Sequence, residues 1–531
     1  MKAHQLLNPM IRRNSPTRNP ALLLIILATV SALGIARWCM ASGVGVSPDS
    51  VIYLSAADSM LAGRGLRSIG YHFTPALAAD TPLVVFPPTY PLLLSLSGLL
   101  STNRLNGAIW LHSILFAANL CLLAMIVSVA TDRSAWAILC AVLLFLSSSS
   151  LLEIHTMAWS EPPFILFLLL AVLLLMLHVR TPNYLFLVGS SLAAGLTLTT
   201  RYAGVIILAP MITILLVGKR SPFSNRVRDV LILVGIGTFP LAVWLLRNVV
   251  EADSATTRSI AIHPIGVSDL INIANSLLVF WIPFAGHPYL RSVLLFIFCG
   301  LVLAVIVAAL RNRLWRGEQM NAVANMLAVV FVTAYLLFLV LYNSLMDPAV
   351  DLTSRVLSPV YVFTIILAIS VMHRLRKQGN PTKLWWGFVL CAIALVTWNA
   401  VHAASFAVER NRNGRGYTSR EWTGSETISY LRGLPESRTI YSNGIDATHF
   451  LAKREALRIP AKVDPVSGKK NSEFEGEINT LRSELIQNRA VVVFLNKITW
   501  RWYLPTKDEL ETIHKFPVLV RLNDGVIYGT N

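Results

Sequence analysis

Charged residues are scarce in this chain of 531 residues, and that scarcity excludes most soluble folds. Asp, Glu, Lys and Arg make up 14% of the sequence, whereas hydrophobic residues make up 55% and the mean hydropathy is +0.60. A typical soluble domain has about 25% charged residues. Apolar runs of about 17 to 25 residues, long enough to cross a bilayer, recur between residues 20 and 404. The sequence therefore predicts a polytopic α-helical membrane protein.

Cysteines are few, and acidic residues are outnumbered by basic ones. The five cysteines lie within or at the ends of apolar runs without a Cys-x-x-Cys pair, so we assign them neither a disulfide framework nor a metal site. Lys and Arg number 45 against 28 Asp and Glu, which gives a net charge of +17. Because the basic residues form small clusters between apolar runs, they indicate membrane topology and no nucleic-acid partner.

These basic clusters set the predicted orientation. Arg12, Arg13 and Arg18 precede the first apolar run, so we expect residues 1–19 to stay in the cytoplasm ahead of an uncleaved signal-anchor helix. The proline-rich segment 81–100 is interpreted as a broken helix at the outer interface, because that choice places every later basic cluster inside. The other runs predict about eleven spans, near 20–41, 106–130, 134–152, 162–179, 183–199, 202–217, 229–247, 290–310, 321–343, 356–373 and 383–404.

With an odd number of spans, the C-terminal part is expected outside, and its pattern indicates a separate small domain. Short strand and helix patterns alternate there, with strands predicted in RTIYSN and RAVVVFL and a helix in EFEGEINTLRSELIQN, and Asn523-Asp524-Gly525 predicts a final hairpin. We expect a transmembrane domain over 20–404, with a first extracytoplasmic loop at 42–105, and a small extracytoplasmic α/β domain over 405–531. That domain binds the acceptor, forms a lid, or is purely structural.

Ionisable and tyrosine side chains gather on the predicted external side. They are Asp49 and Tyr53 after the first span, His155 and Glu161 between the third and fourth, Arg201 and Tyr202 in TLTTRYAG, and Asp347, Asp351 and Arg355 before the tenth. Taken singly, each charged residue also fits an interface anchor or a helix-dipole partner, and Tyr53 fits an aromatic anchor. Arg201 interrupts an apolar stretch, so we predict a buried ion partner for it.

The order of these features resembles the GT-C superfamily of membrane glycosyltransferases, in the bacterial branch similar to protein O-mannosyltransferases and aminoarabinose transferases. The resemblance rests on Asp49, YLSAADSMLAGRGL, FPPTYPLLLSL, the SEP at 160–162, TRYAG at 200–204 and DLTSRVLSPVY at 351–361. It implies a polyprenyl-phosphate sugar donor bound from the external side, inversion at the anomeric carbon, and Asp49 as catalytic base. The sequence departs from the mannosyl branch at Ser50, and from the aminoarabinose branch at Val85 and Phe86, where a lysine before Pro-Pro is absent.

Elementary chemistry assigns the same residue types. A base must take the proton of the acceptor, whereas the phosphate leaves already anionic and needs positive charge. Asp49 is the candidate base, and Arg201 and Arg355 are candidates for holding the phosphate. The supporting candidates, which orient the acceptor or hold a divalent cation, are Glu161, His155, Asp347 and Asp351, with Tyr53 and Tyr202 beside them. No other cofactor is implied.

The expected function is transfer of a monosaccharide from a polyprenyl phosphate to an extracytoplasmic glycan, lipid or protein, in a bacterial inner membrane. The main alternative is a transporter or flippase of lipid-linked sugars, which typically shows an internal repeat. A polymerase or ligase of surface glycans, with large loops between later spans, and a non-catalytic scaffold are further alternatives. No repeat is visible, and the external clustering of charge favours the transferase.

Overall fold

Long apolar helices dominate the architecture. The computed structural model describes residues 20–70, 81–101, 103–217, 222–263, 266–283, 320–347, 352–377, 383–464 and 468–530, together with Tyr289, Ser292 and Val293. Within these residues seven helices are long and apolar enough to cross a membrane, and an eighth crossing results if one bent helix pair is a single span. The chain is therefore a polytopic helical membrane protein.

The helices from Pro20 to Asn413 form one packed bundle. They are α1 (Pro20–Cys39), α2 (Pro48–Leu61), α3 (Thr89–Leu99), α4 (Arg104–Ala130), α5 (Ala135–Leu146), α6 (Ser149–Thr156), α7 (Glu161–Arg180), α8 (Tyr184–Thr200), α9 (Leu208–Val217), α10 (Phe223–Ala252), α11 (Val267–Trp281), α12 (Met320–Leu345), α13 (Ser354–Lys377) and α14 (Lys383–Asn413). A 3₁₀ segment, Tyr202–Ile207, joins α8 to α9. α7 packs against α8, α8 against α10, α1 against α4, and α12 against α13.

Each predicted span within the described residues is helical, but their lengths differ. Helices α1, α4, α7, α10, α12 and α13 and the Ala392–Asn413 part of α14 have the length and composition of a span. α8 and the 202–217 segment are apolar but shorter, between 10 and 17 residues. The predicted span 290–310 lies outside the described residues, apart from Ser292 and Val293.

The predicted single span 134–152 is instead two helices. α5 ends at Leu146, α6 begins at Ser149, and their axes differ by 63°. The break falls in a run of serines, whose side chains offer the backbone alternative hydrogen bonds. Ser148 Oγ accepts a hydrogen bond from Leu151 N, which caps α6 and fixes its new direction. As a result, α6 brings the following loop toward α2.

Helix α14 continues beyond the predicted domain boundary at residue 404 and ends at Asn413. The sequence ASFAVERNRN still favours helix, and Ala403 and Ala407 are buried. The end of α14 is held to the end of α1, because Asn411 Nδ2 donates to Trp38 O at 2.7 Å and Ser42 Oγ donates to Asn411 O at 2.7 Å. The helix therefore leads the chain directly to the segment before α2.

Two short strand pairs lie in the long loops. β1 (Arg67–Ser68) pairs antiparallel with β2 (Thr81–Pro82), between α2 and α3, and β3 (Ser259–Ile260) pairs antiparallel with β4 (Met346–Asp347). In the predicted broken-helix segment, α3 begins only at Thr89, after the prolines. Prolines at 82, 87 and 88 explain why the backbone before it is not helical.

The C-terminal residues fold around one mixed sheet. Its strands are β5 (Thr439–Ser442), β6 (Leu457–Arg458), β7 (Ala490–Leu495), β8 (Val518–Leu522) and β9 (Gly525–Tyr528), in the order β6-β5-β7-β9-β8. The helices beside it are α15 (Arg420–Thr423), α16 (Glu426–Arg432), α17 (Ile445–Ala447) and α18 (Phe474–Ile486), with π-helical turns at Thr448–Ala452 and Glu509–Ile513. The predicted strands in RTIYSN and RAVVVFL and the final hairpin, where Leu522 faces Gly525, are confirmed.

Candidate active site

Asp49 lies in the first turn of α2, and its position is set by the residues just before it. Ser47 caps the helix: its Oγ accepts from Ser50 N, while Ser47 N donates to Ser50 Oγ. Pro48 occupies the first helical position, where its missing N–H costs nothing. Gly45 N donates to Thr156 O at 2.9 Å, which ties this segment to the end of α6.

Glu161 begins α7, directly after the loop that follows α6. The loop is held against α2, because Trp159 Nε1 donates to Ser47 Oγ at 2.8 Å. Pro162 and Pro163 fill the first turn of α7, which suits proline. The carboxylate at this helix N-terminus therefore faces both the helix dipole and the neighbouring arginines.

The two arginines reach Glu161 from different helices. Arg201 ends α8, just before the 3₁₀ segment, and Arg355 lies in the first turn of α13. Glu161 Oε1 accepts from Arg201 Nη1 at 2.5 Å and from Arg355 Nε at 2.6 Å. The buried ion partner predicted for Arg201 is therefore Glu161.

Arg355 extends the group to Asp49. Its Nη1 donates to Asp49 Oδ2 at 2.6 Å, and its guanidinium carbon lies 4.4 Å from the centre of the Trp159 ring. The four side chains thus form one chain of ion pairs, Asp49 to Arg355 to Glu161 to Arg201, which we call the charged network. Stacking on Trp159 and two carboxylate bonds fix the guanidinium plane of Arg355.

Exposure differs sharply along the charged network. The exposed fraction of the side chain is 1% for Glu161, 21% for Arg201, 22% for Arg355 and 36% for Asp49. Glu161 Oε2 is buried without a hydrogen-bond partner among the described residues. Glu161 is therefore the buried anchor, whereas Asp49 is the carboxylate that a ligand can reach.

Tyr53 supports the charged network from α2 and is no interface anchor. Its ring is buried against Phe86 and Tyr90, with ring centres 4.6 Å and 4.9 Å away. Its hydroxyl lies 3.1 Å from Ser160 Oγ, which also accepts from Arg201 Nη1 at 3.0 Å. Burial raises the pKa of Tyr53 well above 10 and Asp49 raises it further, so the phenol stays neutral.

The comparisons with known proteins point to one fold. No protein-family model and no curated protein matches the chain. Among solved structures, apo ArnT from Cupriavidus metallidurans superposes with a TM-score of 0.60 at 12% identity, over 96% of this chain and 98% of that one. The same ArnT bound to undecaprenyl phosphate superposes with a TM-score of 0.58 at 13% identity, over 95% and 97%. The oligosaccharyltransferase of Archaeoglobus fulgidus, in a complex with Zn and sulfate, gives 0.52 at 12%, over 90% and 68%.

ArnT is an aminoarabinose transferase, and it and the oligosaccharyltransferase are both GT-C proteins. This chain shares the fold of ArnT. The agreement covers 96% of the chain in the comparison with apo ArnT. At this identity the likeness is one of fold, so the roles of the side chains are argued from their geometry.

Other predicted site residues lie apart from the charged network. The ring of His155 is buried beside Phe116 and Phe145, with Nε2 2.9 Å from Asn119 Nδ2 and Nδ1 2.7 Å from Leu151 O. Both ring nitrogens are thus engaged inside the helix bundle. Asn119 also donates to Pro162 O at 2.9 Å, so His155 supports the start of α7 indirectly.

Tyr202 and Asp347 hold loops. Tyr202 Oη donates to Val84 O at 2.9 Å and accepts from Trp244 Nε1 at 3.1 Å, which joins the proline-rich segment to α10. Asp347 Oδ1 lies 2.7 Å from His263 Nε2, across the β3–β4 pair. Asp351 lies outside the described residues.

Two arginines that sequence reasoning missed position the loops of the site. Arg247 of α10 donates to Leu83 O at 2.9 Å and to Leu66 O at 3.1 Å, which anchors the β1–β2 hairpin. Arg410 of α14 is buried and donates to Thr156 O at 2.7 Å. Arg247 is the last residue of the predicted span 229–247, and its charge in an apolar segment is the signal that could have found it. Arg410 lies beyond the predicted span 383–404 and carries no such signal.

The side chains present are a poor fit for a metal ion. In the described part of the chain, His, Cys, Asp and Glu form no group of three that could hold one. In the charged network, Asp49 and Glu161 are already bound to guanidinium groups. A divalent cation that binds these carboxylates would have to displace one guanidinium group while the other repels it. The chemistry below is therefore assigned to the side chains alone.

Proposed function

We propose that this protein transfers a monosaccharide from a polyprenyl phosphate to an extracytoplasmic glycan, lipid or protein, with inversion at the anomeric carbon. The observation that supports it most is the charged network, which joins one reachable carboxylate to two arginines through a buried glutamate. That set of groups matches the chemistry of displacing a lipid phosphate. The GT-C fold, and the undecaprenyl phosphate bound by the ArnT neighbour, support the donor class.

The proposal divides the work between the two carboxylates by their exposure. Asp49 takes the proton of the acceptor hydroxyl as that oxygen attacks the anomeric carbon. Glu161 stays between the arginines and keeps both guanidinium groups aimed at one point. A carboxylate with 1% of its side chain exposed has no path to an acceptor, whereas Asp49 does.

The arginines receive the leaving phosphate. A guanidinium has five N–H groups, and the contacts of Arg355 to Glu161 and Asp49 use only two nitrogens, so donors remain for phosphate oxygens. When the donor phosphate binds Arg355, it competes with Asp49 for the same cation. Donor binding therefore releases Asp49 to accept the proton, which orders the steps as donor first and acceptor second.

The proposed topology has the N-terminus in the cytoplasm, about eleven spans, and the C-terminal domain outside. The basic clusters support this orientation, because basic loops are expected in the cytoplasm. Two of these loops lie on the same side of the bundle, since Lys377 Nζ donates to Asp132 Oδ2 at 2.7 Å. The charged network then lies at the outer side. The C-terminal residues start from that side, because Tyr417 N donates to Val46 O at 2.8 Å, three residues before Asp49.

The deciding experiment is Asp49→Asn in purified full-length protein, measuring both the binding of a polyprenyl-phosphate sugar and the transfer of its sugar. We expect donor binding to be retained while transfer falls by at least about 100-fold, the lower end for loss of a general base. Asp132→Asn, which removes an exposed carboxylate at the opposite end, is the matched control. Unchanged transfer by Asp49→Asn would remove the proposed base. Wild-type protein that binds the donor and never consumes it would instead support a carrier of lipid-linked sugars.

A further inference from the structure

A cavity lies between the loop after α2 and the C-terminal residues. Its volume is about 760 Å³, and no residue of the charged network lines it. One wall runs from Ser55 of α2 to Gly70 of the loop, and the other from Glu436 to Leu457 around β5 and α17. A volume of this size is typical of sites for small molecules and sugar units.

The lining of this cavity is unusually basic. Its cationic residues and its one histidine are Arg64, Arg67, Arg438, Lys453, Arg454 and His449. Three carboxylates also line it, but one of them, Asp58, is paired with Arg104. The excess of positive charge therefore persists after the visible ion pair is counted.

Two of these residues, Lys453 and His449, lie close to each other and to Arg104, which is outside the cavity lining. Burial lowers the pKa of Lys453, and the charges of Arg104 and Arg432 lower it further. Burial also lowers the pKa of His449, with Lys453 as the next cause and Glu455 opposing it. Like charges gathered in a partly buried place repel each other until an anion binds between them. The arrangement therefore favours an anionic ligand.

Some of the cations serve the fold and are set aside. Arg454 donates from Nη1 to Leu434 O at 2.7 Å and from Nη2 to Pro435 O at 3.0 Å, so it closes the turn after α16. Lys453 Nζ lies 5.0 Å from the centre of the Phe450 ring, and the Lys453 side chain is exposed to the cavity. Arg438 and Lys453 are therefore the pair best suited to test the cavity.

The cavity and the charged network share helix α2. Asp49 is in its first turn, while Ser55 and Asp58 line the cavity from its later turns. At about 1.5 Å of rise per residue, these positions lie roughly 9 to 14 Å from Asp49 along the helix axis. One rigid helix thus fixes the separation between the proposed base and the basic cavity.

We propose that this cavity binds an anionic group of the acceptor, a phosphate or carboxylate that lies roughly 9 to 14 Å from the hydroxyl that attacks. This inference rests on the proposed transferase function and names the class of its acceptor. The cavity binds the anion, and α2 fixes the distance between the cavity and Asp49, so that the attacking hydroxyl of the same acceptor lies at Asp49. Neutral acceptors of the same length lose this second contact.

The test measures binding of hexagalacturonate to full-length protein in phosphatidylcholine nanodiscs, with maltohexaose as the neutral probe of equal length. The cavity variant is Arg438→Gln with Lys453→Gln, and each single substitution is measured beside it so that one poorly folded variant does not end the test. Lys470→Gln with Arg489→Gln removes the same charge from exposed positions outside the cavity lining. Undecaprenyl-phosphate binding is measured for every protein.

We expect wild type to prefer hexagalacturonate, the cavity variant to weaken its binding by at least about 10-fold, and the control to keep it. Repeating the titration with phosphatidylglycerol nanodiscs separates two sources of the anion. If phosphatidylglycerol weakens hexagalacturonate binding by wild type and not by the cavity variant, the cavity binds a lipid phosphate. If hexagalacturonate binding by wild type is the same in both kinds of nanodisc, the cavity binds an acidic sugar. Equal loss in cavity variant and control overturns the proposal, as does equal binding of both probes.

Failure of the acceptor proposal stays distinct from failure of the proposed function. Wild type that binds undecaprenyl phosphate without preferring the anionic probe loses the cavity proposal and keeps the transferase. Wild type that binds the anionic probe and not the lipid loses the transferase, and the cavity is then a site for an anion unrelated to sugar transfer, which also overturns the acceptor proposal.

Discussion

Arg355 Nη1 donates to Asp49 Oδ2 at 2.6 Å, across 306 residues of sequence. This bond joins the first turn of α2 to the first turn of α13, and through Glu161 it reaches α7 and α8. A site made of four helix ends is rigid, because each of its side chains is attached to a helix that packs along its length against other helices. Its function then depends on the shape of the central guanidinium as well as on its charge.

Arg355→Lys keeps the charge and removes that shape. A lysine ammonium cannot bond Asp49 and Glu161 together in the flat, forked geometry that Arg355 uses. We expect transfer to fall roughly 10-fold to 100-fold, the range for losing a hydrogen bond to a charged group. The measurement is donor affinity and single-turnover transfer. Arg412→Lys, at an exposed position of α14, should leave both unchanged, and wild-type transfer by Arg355→Lys would contradict the forked contact.

Glu161→Gln should destabilise the protein because it removes the buried carboxylate that Arg201 and Arg355 share. Breaking a buried ion pair typically costs about 3 to 5 kcal/mol, but both arginines are about one-fifth exposed and glutamine still accepts a hydrogen bond. We therefore expect a loss of about 1 to 3 kcal/mol, seen as a melting temperature lower by several degrees. Glu153→Gln, which removes a partly exposed partner of Arg415, is the control and should change the melting temperature less.

Gly45→Ala tests how the loop before Asp49 is positioned. A Cβ at Gly45 would overlap Met157 Sδ and Arg410 Nη2, so these two side chains must move, and with them the bond from Arg410 to Thr156 O at the end of α6. We expect lower transfer and a lower melting temperature. Gly34→Ala, in α1 with nothing near its added Cβ, is the matched control and should keep both. A Gly45→Ala protein as active as wild type would show that the site tolerates this shift.

Asp524 predicts a pH dependence of stability in the C-terminal residues. Burial raises its pKa, but hydrogen bonds from Ser425 and Thr427 outweigh this, so its pKa lies below the usual 3.8. The unfolded chain then binds the proton more readily than the folded one, so this stabilisation is complete above about pH 4 and is lost as the pH falls further.

Asp524→Asn should remove that part of the pH dependence. The measurement compares melting temperatures at pH 5, 4 and 3, where wild type is expected to lose more than Asp524→Asn. Asp508→Asn, which changes another carboxylate of the same region, serves as control and should follow the wild-type slope. Parallel slopes for all three proteins would show that the Ser425 and Thr427 bonds to Asp524 add no measurable stability.

Apolar runs alone determined much of this protein. They predicted a polytopic helical membrane protein, and each predicted span within the described residues is helical, because lipid leaves the backbone no partner but itself. Short strand-like segments and the Asn-Asp-Gly turn likewise predicted strands β5 and β7 and the final hairpin. Polar residues in apolar surroundings marked Asp49, Glu161, Arg201 and Arg355 before any contact was known.

Which of those residues meet was decided only by the tertiary structure. Asp49, Glu161, Arg201 and Arg355 converge, while His155, Tyr202 and Asp347 turn to other partners, although all seven carry the same signal in the sequence. The serine run at Ser148 and the helix-favouring residues after 404 permit the bend and the extension of α14, but the 63° angle and the contact of α14 with α1 depend on packing. Hydropathy is a property of one segment, whereas an ion pair across 306 residues exists only once several helices have packed together.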